Sequence, residues 1–278
     1  MKSLALLPSV FVLALCLRAS IPASQGAMPH IINVSAYDPK EKQRGGASYS
    51  EHDVSALRVN GASALIARAG KGGNLDEKCG NFLASADRVG MLPGVYYRLQ
   101  THVDAEKQAD QFIARAQSLA RSRSWNAPAL LLCADFDAKS RLSDILRFMG
   151  RIESRTGVVP VAYLENSAHL KALLSSADAA AKAKIRRMPY WLALYSNTYA
   201  ADPTGLLNQY GVWSEWAMWQ YGGVDWERGR SRPKVYNHGP HRFPLYFGNI
   251  DRPLERNVFN GSLGAMQAFW QRHGLKLK

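Results

Sequence analysis

"PALLLCADFDAKS", residues 128–140, is a short apolar run that ends in two acids, Asp135 and Asp137, one aromatic residue apart. An uncharged run of this length, bounded by a proline and by polar residues, reads as a strand buried on both faces, as parallel sheets require. In folds built from such strands, function gathers where a strand ends and the next loop begins. The two acids stand at such an end. Positions i and i+2 of a strand share a side, with α-carbons about 6.5–7 Å apart, so both carboxylates are expected to reach one cavity. Like charges that close push one carboxyl toward the protonated form. One acid and one carboxylate side by side is the equipment of glycosidic cleavage. The competing reading is that a strand-end aspartate caps the turn that follows it.

On either side the same rhythm recurs. "HIINVS" (30–35), "ASALIAR" (62–68), "PGVYYRL" (93–99), "VVPVAYL" (158–164) and "YWLALYS" (190–196) are further candidate strands. Helical stretches lie between them: "SEHDVSALRVN", "DEKCGNFLASADRVG", "DAEKQADQFIARAQSLARS", "RLSDILRFMGRIESRTG" and "SAHLKALLSSADAAAKAKI". The third carries Ala109, Phe112, Ile113 and Ala116 at helical spacing behind an acidic first turn. Alternation of this kind builds βαβ units and a parallel sheet. After residue 196 "WSEWAMWQYGG" and "FPLYFGNI" read as strands without helices, and "GSLGAMQAFWQRHG" returns to helix. The expected fold is a single irregular TIM-like α/β barrel, five βα units followed by about three strands with few helices.

Residues 1–25 read as a signal peptide: Lys2, then "LALLPSVFVLALCL", then small residues in "IPASQGA". Cys16 follows "LAL", as a lipidated cysteine would, but Leu15 suits that reading poorly, and simple export is favoured. Residues 26–278 then form the barrel domain, a length one α/β barrel fills. No other apolar segment is long enough to span a membrane. The formal charge is +13, of which Lys2 and Arg18 in the leader supply two. An exported basic chain meets anionic glycans or phospholipid heads. No helix-turn-helix, zinc-finger or RNP-like motif supports nucleic acid. No CxxC, HExxH or tight His cluster is present, so neither metal nor cofactor is expected. Cys79 and Cys133 remain after the leader; two cysteines are no disulfide framework, and Cys133 reads as a buried thiol.

The other strand ends are polar or aromatic: Asn33 and Ser35, Arg68 and Lys71, Tyr97 and Arg98, Tyr163 and Glu165, Trp191 and Tyr195. Rings among acids suit sugars, whose C–H faces stack on π systems. Tyr96, Trp213 and Trp216 read as core.

These residues resemble the family 25 glycoside hydrolases, muramidases of fungi, bacteria and phages. Where that family looks like "DVS", "G.YHF", "DxE", "W.A.Y", "WQY" and a late "DxNxF", this chain has "NVS" (33–35), "GVYYR" (94–98), "DFD" (135–137), "WLALY" (191–195), "WQY" (219–221) and "ERNVFNGS" (255–262). The resemblance implies Asp137 as proton donor, Asp135 as the motif's first acid, and Glu255 at the late aspartate, with Asp251 as its substitute. It puts Asn33 where the family has an aspartate, and Tyr97, Trp191, Tyr195, Trp219 and Tyr221 near the sugar. The implied function is an exported, monomeric enzyme that cleaves β-1,4 bonds between N-acetylmuramic acid and N-acetylglucosamine in peptidoglycan, outside the cell or in the periplasm. The alternatives are a catalytically weak glycan-binding protein of the same fold, and an enzyme acting on another amino-sugar polymer.

Overall fold

The computed structural model describes residues 28–38, 48–195, 203–225, 234–236 and 254–277. The leader and "FPLYFGNI" lie outside the described residues. In chain order the elements are β1 (His30–Val34), α1 (Glu51–Val59), β2 (Ala62–Lys71), β3 (Asn74–Leu75), α2 (Cys79–Arg88), β4 (Leu92–Leu99) and α3 (Ala105–Arg121). Then come β5 (Ala129–Phe136), α4 (Leu142–Thr156), β6 (Val161–Leu164), α5 (Ala168–Ser175), α6 (Ala179–Arg186) and β7 (Tyr190–Ala193). The chain ends with α7 (Thr204–Tyr210), β8 (Met218–Asp225), β9 (Lys234–Tyr236), β10 (Glu255–Phe259), α8 (Leu263–His273) and β11 (Gly274–Lys276).

Eight strands close into a barrel in the order β1-β10-β8-β7-β6-β5-β4-β2, with β1 pairing β2 to complete the ring. All pairs are parallel except those of β10, which runs antiparallel to β1 and β8. The N-terminal end of β10 therefore meets the C-terminal ends of its neighbours, and Glu255 arrives at the same mouth as Asn33, its partner in register.

The helices start where the sequence places caps. Ser50 and Asp53 form a capping box on α1, while Asp104, Ser167, Asp178 and Ser262 accept backbone N–H groups at the starts of α3, α5, α6 and α8. "SAHLKALLSSADAAAKAKI" is two helices, not one, because Asp178 caps a new start. The short α7 occupies a stretch in which the sequence showed no helical rhythm.

Alternation sorts each strand between two layers. Leu130, Leu132, Ala134 and Phe136 of β5 face the helices, with Tyr97, Phe112 and Phe148 among their company. Leu131 and Cys133 face inward with Ile31, Ile66, Val161 and Met218. Helix α8 seals the barrel floor: Met266 and Trp270 join the inner cluster, and Trp270 Nε1 donates to Pro93 O at 2.8 Å. Strand β11 then pairs with residues 129–131 of β5 at the same end. With the floor filled, the open space lies at the mouth.

Candidate active site

The mouth holds a cavity of about 270 Å³, to which each of the eight barrel strands gives at least one side chain. The register lines Lys71, Arg98, Asp135, Tyr163 and Trp191 up on successive strands β2, β4, β5, β6 and β7. Asn33, Arg68, Gln220 and Glu255 complete the ring. A second cavity of about 470 Å³ adjoins, sharing Arg98, Tyr163 and Glu255 and adding Glu165, Tyr195 and Tyr236. Together they form a polar cleft with aromatic walls.

Asp135 is 6% exposed, and among the described residues no donor reaches its Oδ1. Burial pushes its carboxyl up to about 6; Arg98 pulls the other way, and Asp137 and Glu165 push up to a lesser degree. Repulsion from Asp137, the cause expected from the sequence, contributes less than burial. The attraction of Asp135 in turn holds the Arg98 guanidinium above its ordinary value.

Glu255 stands four strands from Asp135 on the eight-strand ring, across the mouth from it. A chain of amides and rings fixes it. Trp191 Nε1 donates to Asn257 Oδ1 (2.8 Å), and Asn257 Nδ2 donates to Asn33 Oδ1 (2.8 Å). Asn33 Nδ2 donates to Glu255 Oε2. From the other side, Tyr163 OH donates to Gln220 Oε1 (2.8 Å), and Gln220 Nε2 donates to Asn33 Oδ1 (3.2 Å) and Glu255 Oε2 (3.4 Å). A buried polar network in which these partners are matched is rigid, and it presents Glu255 as an acceptor.

Asp137 does not line either cavity. Strand β5 ends at Phe136, so the two-residue alternation stops before Asp137. Its Oδ1 accepts Lys139 N (2.9 Å) and its Oδ2 accepts Gln100 Nε2 (2.8 Å), which makes it the capped turn of the competing reading. Arg98 Nη2 lies 3.8 Å from it. Glu165 accepts Ala138 N (3.2 Å) and Arg98 Nη2 (3.3 Å), tying the loop after β5 to the end of β6.

Of the remaining residues singled out in the sequence, Ser35, Arg68, Tyr163 and Trp191 line the first cavity and Tyr195 the second. Tyr97, Trp219 and Tyr221 do not line either. They have the outward parity of their strands and pack in the layer under the helices, where Tyr97 OH donates to Gln111 Oε1 (2.7 Å) and Trp219 Nε1 to Leu194 O (3.0 Å). Their inward neighbours do line the first cavity: Tyr96, which read as core, and Gln220. The signal for Tyr96 was present, since Arg98 shares its parity and a guanidinium does not point into an apolar helix layer. Gln220, polar between two aromatics, carried the same signal. Tyr37 and Asp38 had none.

The closed barrel thus sets carboxyl groups on opposite sides of its mouth. The family is shown directly: the model of glycosyl hydrolases family 25 matches residues 46–228, and the chain belongs to that family. Solved structures share the fold at low identity. A bacterial lysozyme from Streptomyces coelicolor is 17% identical, with a TM-score of 0.61 over 90% of this chain and 100% of that one. A family 25 lysozyme from Aspergillus fumigatus is 15% identical, with a TM-score of 0.58 over 88% and 99%. A muramidase from Acremonium alcalophilum is also 15% identical, with a TM-score of 0.55 over 87% and 99%. Among curated proteins none matches the chain in sequence. Among the described residues, no group of His, Cys, Asp or Glu could hold a metal ion, and no helix is long and apolar enough to cross a membrane.

Proposed function

We propose that the protein is an exported lysozyme-like glycoside hydrolase that cleaves β-1,4 bonds between N-acetylmuramic acid and N-acetylglucosamine in peptidoglycan. Asp135 carries the proton to the leaving oxygen: it is buried at the mouth, holds its proton to about pH 6 and has an oxygen without a protein donor. That single observation carries the reading. Glu255, across the ring, stabilises the developing cation or orients the attacking water. Trp191 forms the floor, wedged edge-on between Tyr96 and Tyr163, and Tyr195 offers a ring in the adjoining cavity. No cofactor enters the reaction, and the protein acts as a monomer.

The test is purified protein on labelled peptidoglycan, with new reducing ends identified as muramic acid. Asp135→Asn should lower their release by about 10²-fold or more, the usual worth of a general acid. No release from the native protein would overturn the reading. A second reading, a glycan-binding protein with little catalysis, is favoured by one observation: an amide, Asn33, occupies Glu255 where the family pattern has an aspartate. It predicts binding without new reducing ends.

A further inference from the structure

Three cations crowd one side of the mouth. Lys71 and Arg98 are partners in register on the parallel neighbours β2 and β4. Like charges directly opposite one another are unfavourable unless an anion lies between them. A register shift between Arg68 and Gly70 brings Arg68 to the same cavity wall as Lys71, three residues on. Gly70 makes the shift feasible, because a Cβ there would lie 2.6 Å from Asn74 O and 2.8 Å from the Tyr97 ring.

These cations are held in place but not used up. Arg68 is 7% exposed and gives Nε to Asp76 at 2.7 Å, yet its Nη2 finds no acceptor among the described residues. Arg98 gives Nη2 to Glu165, and its buried Nε is likewise unmet. The Lys71 side chain has neither ion pair nor hydrogen bond among the described residues. Burial, then Arg98 and Arg68, push its ammonium below the ordinary value, as expected where three cations meet. The Arg68 Nη2 and Arg98 Nε donors are buried without an acceptor among the described residues, a reason for them to have a ligand.

We propose that Arg68, Lys71 and Arg98 form a subsite for a free carboxylate on the sugar at the barrel mouth, so that the preferred substrate is a glycan strand whose muramyl lactyl groups carry no peptide. The proposal rests on the glycosidase reading above and names its substrate. A monoanion fits, whereas a dianion would repel Asp135 and Glu255, which line the same cavity. Guanidinium donors match a planar carboxylate. A stem peptide would turn that carboxylate into a neutral amide and add bulk to a cavity of about 270 Å³. The reaction class that supplies such a strand is hydrolysis of the amide between the lactyl group and its peptide.

The experiment titrates the full chain with fluorescent tetrasaccharides and reads binding alone. The probes are the peptide-free muramic acid–glucosamine tetrasaccharide, the same molecule with its carboxylates converted to methylamides, and a hyaluronan tetrasaccharide. The free acid should bind at least tenfold tighter than the methylamide, on the order of one good charge contact. Lys71→Gln should cut that ratio below about threefold while Lys71→Arg keeps it, with melting temperature confirming that both variants fold. Equal binding of acid and methylamide by the native protein would overturn the subsite, as would a ratio untouched in Lys71→Gln. Hyaluronan binding as tightly as the muramyl acid would keep the carboxylate subsite and overturn the muramyl assignment. A charge-selective binder that releases no reducing ends would sink the glycosidase reading and leave the subsite standing.

Discussion

Asp135 couples stability to pH through a single proton. Its folded value, about 6, lies above the ordinary 3.8, so the folded chain holds a proton that the unfolded chain releases between those values. That contribution is complete below about pH 3.8 and is lost as pH rises through 6, up to about 3 kcal/mol in all. Urea titrations at pH 4.5 and 7.5 should show this loss in the native protein and not in Asp135→Asn, which cannot ionise. Hydrolysis, if Asp135 is the acid, should fall about tenfold per pH unit above 6, and a flat profile from pH 5 to 8 would remove it from that role. Asn33 is the complementary case, because its amide N–H donates to the Glu255 carboxylate. Asn33→Asp replaces that donor with a second carboxylate, and the pair must then share a proton. The variant should lose about 1–3 kcal/mol at pH 7 and regain most of it as pH falls toward 4, when the shared proton is present. Equal stability of both proteins at pH 7 would mean that the amide contact adds nothing.

Among the elements, β2 supplies two of the three cations of the wall, Arg68 and Lys71, and one glycine permits their geometry. Gly70→Ala would drive a methyl group into Asn74 O and the Tyr97 ring, costing about 1–3 kcal/mol and displacing Lys71. A melting temperature within a degree of native would show that the β2–β3 turn yields easily. The floor is more costly to disturb: Trp270→Ala empties the space under the barrel and deletes the bond to Pro93 O, an expected loss of about 3–5 kcal/mol by urea unfolding. Element by element, much of this was legible in the sequence. Strands β1, β2 and β4 to β7 were readable because apolar runs end in charges or turns, and α3 because its apolar spacing follows an acidic cap. Strand β11 was not, since "GLK" borrows its structure from residues 129–131 of β5, the stretch that lies before the pairing with β6 begins. The site was legible by strand but not by face: "GVYYR" and "WQY" each place two aromatics near the mouth, and only the parity of Arg98 and Gln220 decides which side chain enters. Asp137 lies off the cavity wall for a related reason, because the pleat that relates it to Asp135 ends one residue too soon.

At the scale of the molecule, closure of the ring governs how the protein opens. Every one of the eight barrel strands has a neighbour on both sides, so no edge strand is available to fray by itself. Cys79 and Cys133, the cysteines among the described residues, report on this because they sit in different layers. Cys133 lies inside the barrel beside Leu131 and Val161, and Cys79 lies outside it, at the start of α2 against Phe82 and Leu83. Both thiols are free and buried, and burial pushes Cys79 up to about 12, so neither reacts in the closed state. A reagent can label them only when the structure around them opens. If barrel and helix layer open as one unit, both should label with the same free energy of opening, that of global unfolding, and with the same dependence on urea. Mass spectrometry of the digested protein, resolving each cysteine, measures the two rates separately. Binding of a glycan at the mouth should then slow both labels equally, by the factor 1 + [L]/Kd that applies to a ligand held only by the folded state. Faster labelling of Cys79, insensitive to glycan, would show instead that α2 detaches while the barrel stays shut. In that event the cations on β2 and β4, whose strands remain in the closed ring, would keep the stability of Asp135 while α2 alone formed a weaker unit.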